Sequence, residues 1–71
     1  MDHADFIEAL GGGTKVAETL AAETGEEINR DAVYQWRAKN FVPWRWRPHL
    51  VVIARREGIR LPKNFVPGVP A

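Results

Sequence analysis

The chain has 71 residues and a mass of 8.0 kDa, which is enough for one small domain. It contains no cysteine, which excludes disulfides and zinc fingers, and no serine, the commonest hydroxyl nucleophile. No apolar run approaches the ~18 residues of a membrane span, and the acidic start lacks the basic and apolar regions of a signal peptide. We therefore expect a cytoplasmic protein that is not an enzyme and uses no cofactor, metal or small-molecule substrate.

The net charge of +1 conceals an uneven distribution of charge along the chain. Residues 1–29 carry seven acidic side chains and one basic one, a net −6, whereas residues 30–71 carry nine basic and two acidic ones, a net +7. This division predicts a dipolar molecule with one basic face, for which a polyanion is the natural partner. The alternative is that the arginines only keep the helices soluble.

The first two predicted helices have clear ends. The first covers residues 3–10, with Asp2 as its N-cap and three glycines at 11–13 as its end. The second begins at Thr14, a good N-cap residue, and runs until Gly25 stops it. Both carry apolar residues at helical spacing, which predicts that both pack on one core.

The third predicted helix follows Asn29, its N-cap, and covers about residues 30–39. Its apolar stripe is narrow and consists of Ala32, Val33 and Trp36. The opposite side carries polar side chains of the types that contact DNA bases and phosphates.

The remainder is predicted to hold one turn, one helix and a tail. Residues 43–47 form a single turn, after which Pro48 opens a fourth helix that ends at Gly58. The tail at 59–71 contains three prolines, so no long helix is expected there. The predicted fold class is all-α, a compact bundle of four to five helices. Residues 1–58 form the domain, and the tail packs on its core or on a second subunit.

Three pieces of the sequence, GGTKVAETL, RDAVYQWR and NFVP, resemble the helix-turn-helix of Cro-type phage repressors and related small bacterial regulators. In that family a small residue in the first motif helix precedes a leucine by three positions, as Ala17 precedes Leu20. The family's W-[RK]-x-x-x-x-[IV]-P junction is matched by WRAKNFVP at residues 36–43. The resemblance covers about residues 4–58.

The chain departs from the family pattern in the turn of the motif. The family joins its two motif helices with three or four residues. Here residues 21–28 separate Leu20 from Asn29, so either the first motif helix runs longer or the helix-turn-helix has an extended turn. The inserted segment AETGEE is polar and can project into solvent.

The resemblance implies that the third helix contacts base edges in the major groove. The residues predicted to contact bases are Arg30, Asp31, Tyr34 and Gln35. The residues predicted to contact phosphates are Thr14, Lys15, Arg37, Lys39, Arg45 and Arg47. For each of them the alternative is an ordinary solvated position. Trp44 and Trp46 are expected in the core or at an interface rather than stacked on bases.

The predicted function is that of a sequence-specific double-stranded DNA-binding transcriptional regulator, acting as a repressor. A domain this small makes few base contacts, so we expect a homodimer on two half-sites. The alternative is a helix-turn-helix adaptor that binds a protein partner such as RNA polymerase through its acidic first two helices. No membrane partner is expected.

Overall fold

The regular structure of the protein, in a computed structural model that describes residues 1–70, is entirely helical. Its elements in chain order are α1 (His3–Ala9), α2 (Gly13–Thr24), α3 (Arg30–Lys39), the 3₁₀ turn η1 (Trp44–Trp46) and α4 (Arg47–Glu57). The all-α prediction is confirmed, since these residues contain no strand. Within the described range, no helix combines the length and the apolar character that crossing a bilayer requires.

Short-range signals end the helices at most of the predicted places. Asp2 and Asn29 each accept a 2.8 Å hydrogen bond from a backbone N–H group in the first turn of α1 and α3, as N-caps do. Gly25 and Gly58 end α2 and α4 in the left-handed conformation, with φ of 74° and 70°. The predicted turn at residues 43–47 contains η1.

Two helix starts differ from the prediction. The N-cap of α2 is Gly12, with φ of 89°, and Thr14 lies inside the first turn, so the prediction that Thr14 is the N-cap is wrong. Its hydroxyl is 2.9 Å from the hydroxyl of Tyr34 instead. The other helix, α4, begins at Arg47, one residue before Pro48. Pro48 lies in the first turn of α4, where its missing N–H group breaks no helical hydrogen bond.

One core joins the four helices. Side chains with at most 2% of their surface exposed come from every helix, and include Phe6, Ile7, Val16, Leu20, Val33, Leu50 and Ile53. Burial of such a side chain stabilises the fold by about 1.5–3 kcal/mol. The principal extents of the molecule are 28 × 24 × 20 Å.

The segment after α4 packs on the core of the same chain. Leu61 and Phe65 are both buried among the core side chains. The rings of Phe65 and Phe6 meet edge to face, with 5.1 Å between their centroids, a favourable aromatic geometry. Leu61 and Phe65 therefore contribute to the core of their own chain.

Candidate functional site

The outer face of α3 holds the residues predicted to contact bases. Val33 is fully buried and Trp36 is 8% exposed, which fixes the rotation of the helix about its axis. Residues three and four positions apart share a face, so the polar positions opposite this stripe point outward. Arg30, Asp31, Tyr34 and Gln35 are all exposed.

Tyr34 is held by the start of α2. Its ring lies over Gly13, where an added Cβ would come within 2.4 Å of a ring carbon. Its hydroxyl lies 2.9 Å from the Oγ1 of Thr14, and the residue remains 40% exposed. The structure therefore brings together Tyr34, predicted to contact a base, and Thr14, predicted to contact a phosphate.

The first turn of α2, which contains Thr14, has no side-chain cap. The N-cap residue Gly12 has no side chain, so no capping hydrogen bond is made to the N–H groups of the turn. Thr14 and Lys15 in this turn are exposed. Free N–H groups, the helix dipole and the Lys15 ammonium together favour an anion.

Three of the predicted phosphate-contacting residues form ion pairs inside the molecule. The pairs are Lys15–Glu57, Arg37–Glu8 and Arg45–Glu26. All six side chains are substantially exposed, so each pair stabilises the fold by about 0.2–1 kcal/mol. The acidic and basic halves of the chain therefore face each other at these points, and the charge is less segregated than the sequence predicts.

The two ends of α3 keep unpaired positive charge. Arg30 at the start and Lys39 at the end are exposed and form no ion pair with any residue in 1–70. Their charges are therefore available to an external anion.

Arg47 lies in the interior, unlike the other predicted phosphate contacts. It is 3% exposed, and its Nε donates to the carbonyl oxygen of Val42 at 2.7 Å while Nη1 donates to that of Phe65 at 3.2 Å. The Trp44 ring covers the guanidinium of Arg47, and the distance from the guanidinium carbon to the ring centroid is 3.6 Å. Burial lowers the pKa of Arg47 from its ordinary value. This burial removes Arg47 from the predicted phosphate contacts and makes it the link between the turn before α4 and the tail.

The two tryptophans of η1 have different environments. Trp44 is 54% exposed although it covers Arg47. Trp46 is partly buried beside Trp36, with 6.1 Å between the ring centroids. Only Trp46 fits the expected place against the core.

Two side chains to which the sequence assigned no role fasten α1 to the segment after α3. The Oδ1 of Asn40 accepts a hydrogen bond from the backbone N–H of Ala4 at 2.9 Å. The Nδ1 of His3 accepts one from the N–H of Val42, also at 2.9 Å. No local pattern in the sequence points to a partner of Asn40 that lies 36 residues away.

His3 is neutral in this arrangement, because Nδ1 acts as an acceptor and the proton is on Nε2. Burial is the main cause that lowers the pKa of His3, and the positive charge of Arg47 adds to it. The carboxylate of Asp2 acts in the opposite direction. Protonation of His3 at low pH therefore weakens the contact between α1 and the segment after α3.

Comparison of the chain with protein-family models, with curated proteins and with solved structures finds no match. The resemblance to Cro-type regulators thus stays a prediction from the sequence. We call the surface formed by the outer face of α3 and the first turn of α2 the α3 surface.

Proposed function

We propose that the chain is a sequence-specific double-stranded DNA-binding transcriptional regulator that acts as a repressor, with α2 and α3 as its helix-turn-helix. The observation that carries the proposal is the division of α3 into two faces. Val33 and Trp36 anchor one face in the core, and the other presents Arg30, Asp31 and Gln35 to solvent. A helix that enters the major groove needs this combination of a fixed rotation and an exposed polar side.

The exposed side chains have the chemistry for base contacts. In the proposal Arg30 donates two hydrogen bonds to guanine, and Gln35 pairs with adenine through its amide. Asp31 accepts a hydrogen bond from the amino group of cytosine. Arg30 and Asp31 lie in the first turn of α3, the part of a recognition helix that usually contacts bases, and Gln35 lies near the middle of the helix.

The start of α2 supplies the phosphate contact that sets the register. Thr14 and Lys15 lie beside the uncapped N–H groups of the first turn. The hydroxyl of Tyr34 is bonded to Thr14, so we assign Tyr34 to this phosphate rather than to a base. Lys39 contacts the backbone at the other end of α3.

A dimer extends the few contacts that one helix can make. The ten residues of α3 cover only part of an operator, so we propose a homodimer whose half-sites are about 34 Å apart. The alternative, an adaptor with an acidic docking surface, has less support. Glu8, Glu23 and Glu26 are ion-paired inside the molecule, which leaves a smaller acidic surface for a protein partner.

The test is selection of binding sites from random duplex DNA at about 150 mM salt, where non-specific electrostatic binding is weakened. We expect an inverted-repeat consensus whose base preferences change with Arg30→Ala or Gln35→Ala. Arg60→Ala is the matched control, since Arg60 is exposed and unpaired within residues 1–70 but lies in the tail. It should leave the consensus unchanged. No enrichment, with binding that fades as salt rises, would contradict the proposal.

A further inference from the structure

Arg45 and Arg37 both pair with a glutamate from the acidic half of the chain, but they use different nitrogens. Both carboxylate oxygens of Glu26 accept from Nη2 of Arg45, at 2.5 and 2.6 Å. Arg37 instead donates through Nη1 to Glu8. This difference decides whether either guanidinium can still bind a phosphate.

A guanidinium binds two oxygens of a phosphate through one of two edges, formed by Nε with Nη2 or by Nη1 with Nη2. Nη2 belongs to both edges. In Arg45 this shared nitrogen carries one N–H group on each edge, and both oxygens of Glu26 lie against it, so a phosphate cannot take both donors of either edge while Glu26 stays in place. In Arg37 the edge of Nε and Nη2 has no acceptor among residues 1–70, so a phosphate can bind while Glu8 stays in place.

We propose that Arg45 is a phosphate-binding site whose occupancy is controlled by Glu26, because the carboxylate and a phosphate compete for the same nitrogen. A polyanion then gains the Arg45 contact only by displacing Glu26. The inference rests on the proposed function in taking DNA as the ligand, although the chemistry applies to any phosphate or sulfate polyanion. Glu26, in the acidic half of the chain, thus lowers the affinity for a polyanion by occupying Nη2 of Arg45.

The surroundings of the pair allow this exchange. Glu26 lies in the irregular segment between α2 and α3, so its side chain can turn away without breaking a helix. The side chains of Arg45 and Glu26 are 63% and 50% exposed, which makes the bond between them weak. The Arg45 guanidinium also lies over the Trp46 ring, 4.4 Å from its centroid, which holds it in place once Glu26 leaves.

The neighbouring pair of Arg56 and Glu23 has a different character. Glu23 is part of α2, and its side chain is only 24% exposed. Arg56 also donates through Nη2 to this carboxylate, but so little of the Glu23 side chain is exposed that a competing anion reaches the pair less easily. The competition is therefore assigned to Arg45 alone.

The test compares Glu26→Gln with Glu27→Gln. Both changes remove one negative charge from the same segment, but Glu27 forms no ion pair within residues 1–70. We expect Glu26→Gln to bind a labelled duplex about two- to fivefold more tightly than Glu27→Gln, since fivefold corresponds to about 1 kcal/mol, the upper value for an exposed pair.

Further variants connect the effect to the guanidinium edges. In an Arg45→Ala background, Glu26→Gln and Glu27→Gln should bind equally. Glu8→Gln should resemble Glu27→Gln, because Arg37 keeps an open edge in either case. A gain from Glu26→Gln that persists without Arg45 would overturn the proposal.

Elution from a heparin column separates this inference from the proposed function. If the protein shows no sequence-specific binding to duplex DNA, the proposed function fails and the column decides the inference. Elution of Glu26→Gln at higher salt than Glu27→Gln would support competition at Arg45. Co-elution of the two variants would overturn it, whatever the duplex results.

Discussion

Replacement of Arg47 by Met is expected to cost the domain much of its stability. Met has a similar length but cannot donate hydrogen bonds, so the carbonyl oxygens of Val42 and Phe65 lose their donors. These acceptors belong to the backbone and stay in place, and each one left without a partner costs about 1–3 kcal/mol. Relief from burying a charge offsets part of this loss, so we expect a decrease of about 2–4 kcal/mol in the free energy of unfolding.

The expected loss is large for a chain of this length. At about 0.05–0.15 kcal/mol per residue, the whole domain has roughly 4–11 kcal/mol of stability. Urea denaturation followed by tryptophan fluorescence measures the change, and Arg45→Met is the matched control. Arg45 is exposed, so its replacement should cost about 1 kcal/mol or less. Equal stability of Arg47→Met and Arg45→Met would refute the structural role of Arg47.

Two further predictions concern His3 and Gly13. The folded-state pKa of His3 is lowered, so its contribution to stability is present above the unfolded value of about 6.5 and is lost as the pH falls below it. The urea midpoint measured across pH 5–8 should therefore decline as the pH falls. The decline should be smaller in His3→Asn, which retains a hydrogen-bond acceptor. Parallel plots of midpoint against pH for the two proteins would contradict this. Gly13→Ala should cost about 1–3 kcal/mol through the clash with Tyr34 and much less in a Tyr34→Ala background. An equal cost in both backgrounds, in a double-mutant cycle by urea denaturation, would place the strain elsewhere.

Features that depend on neighbours in the sequence could be predicted. The Asn29 cap of α3 bonds to a residue two positions along, and the end of α2 needs only the left-handed preference of Gly25. The exposure of the polar face of α3 likewise followed from the positions of Val33 and Trp36 within one helix. Each of these signals lies within a few residues.

Features that depend on distant partners could not be predicted. The acceptors of Arg47 lie 5 and 18 residues away, and arginine is seldom buried, so its surface location was the natural expectation. The ion pair of Arg45 with Glu26 joins two segments whose approach depends on the packed fold. Thr14 was assigned as a cap because threonine is at least as good as glycine there, but Gly12 takes that position and Tyr34 bonds the Thr14 hydroxyl.

The most direct test of the central claim is backbone amide NMR of the protein titrated with the duplex that the selection enriches, at about 150 mM salt. If the α3 surface binds DNA, the largest shift changes will fall at residues 30–35 and 13–15, with little change at residues 59–70. Changes concentrated in α1 or in the tail, with the α3 surface unaffected, would contradict the account.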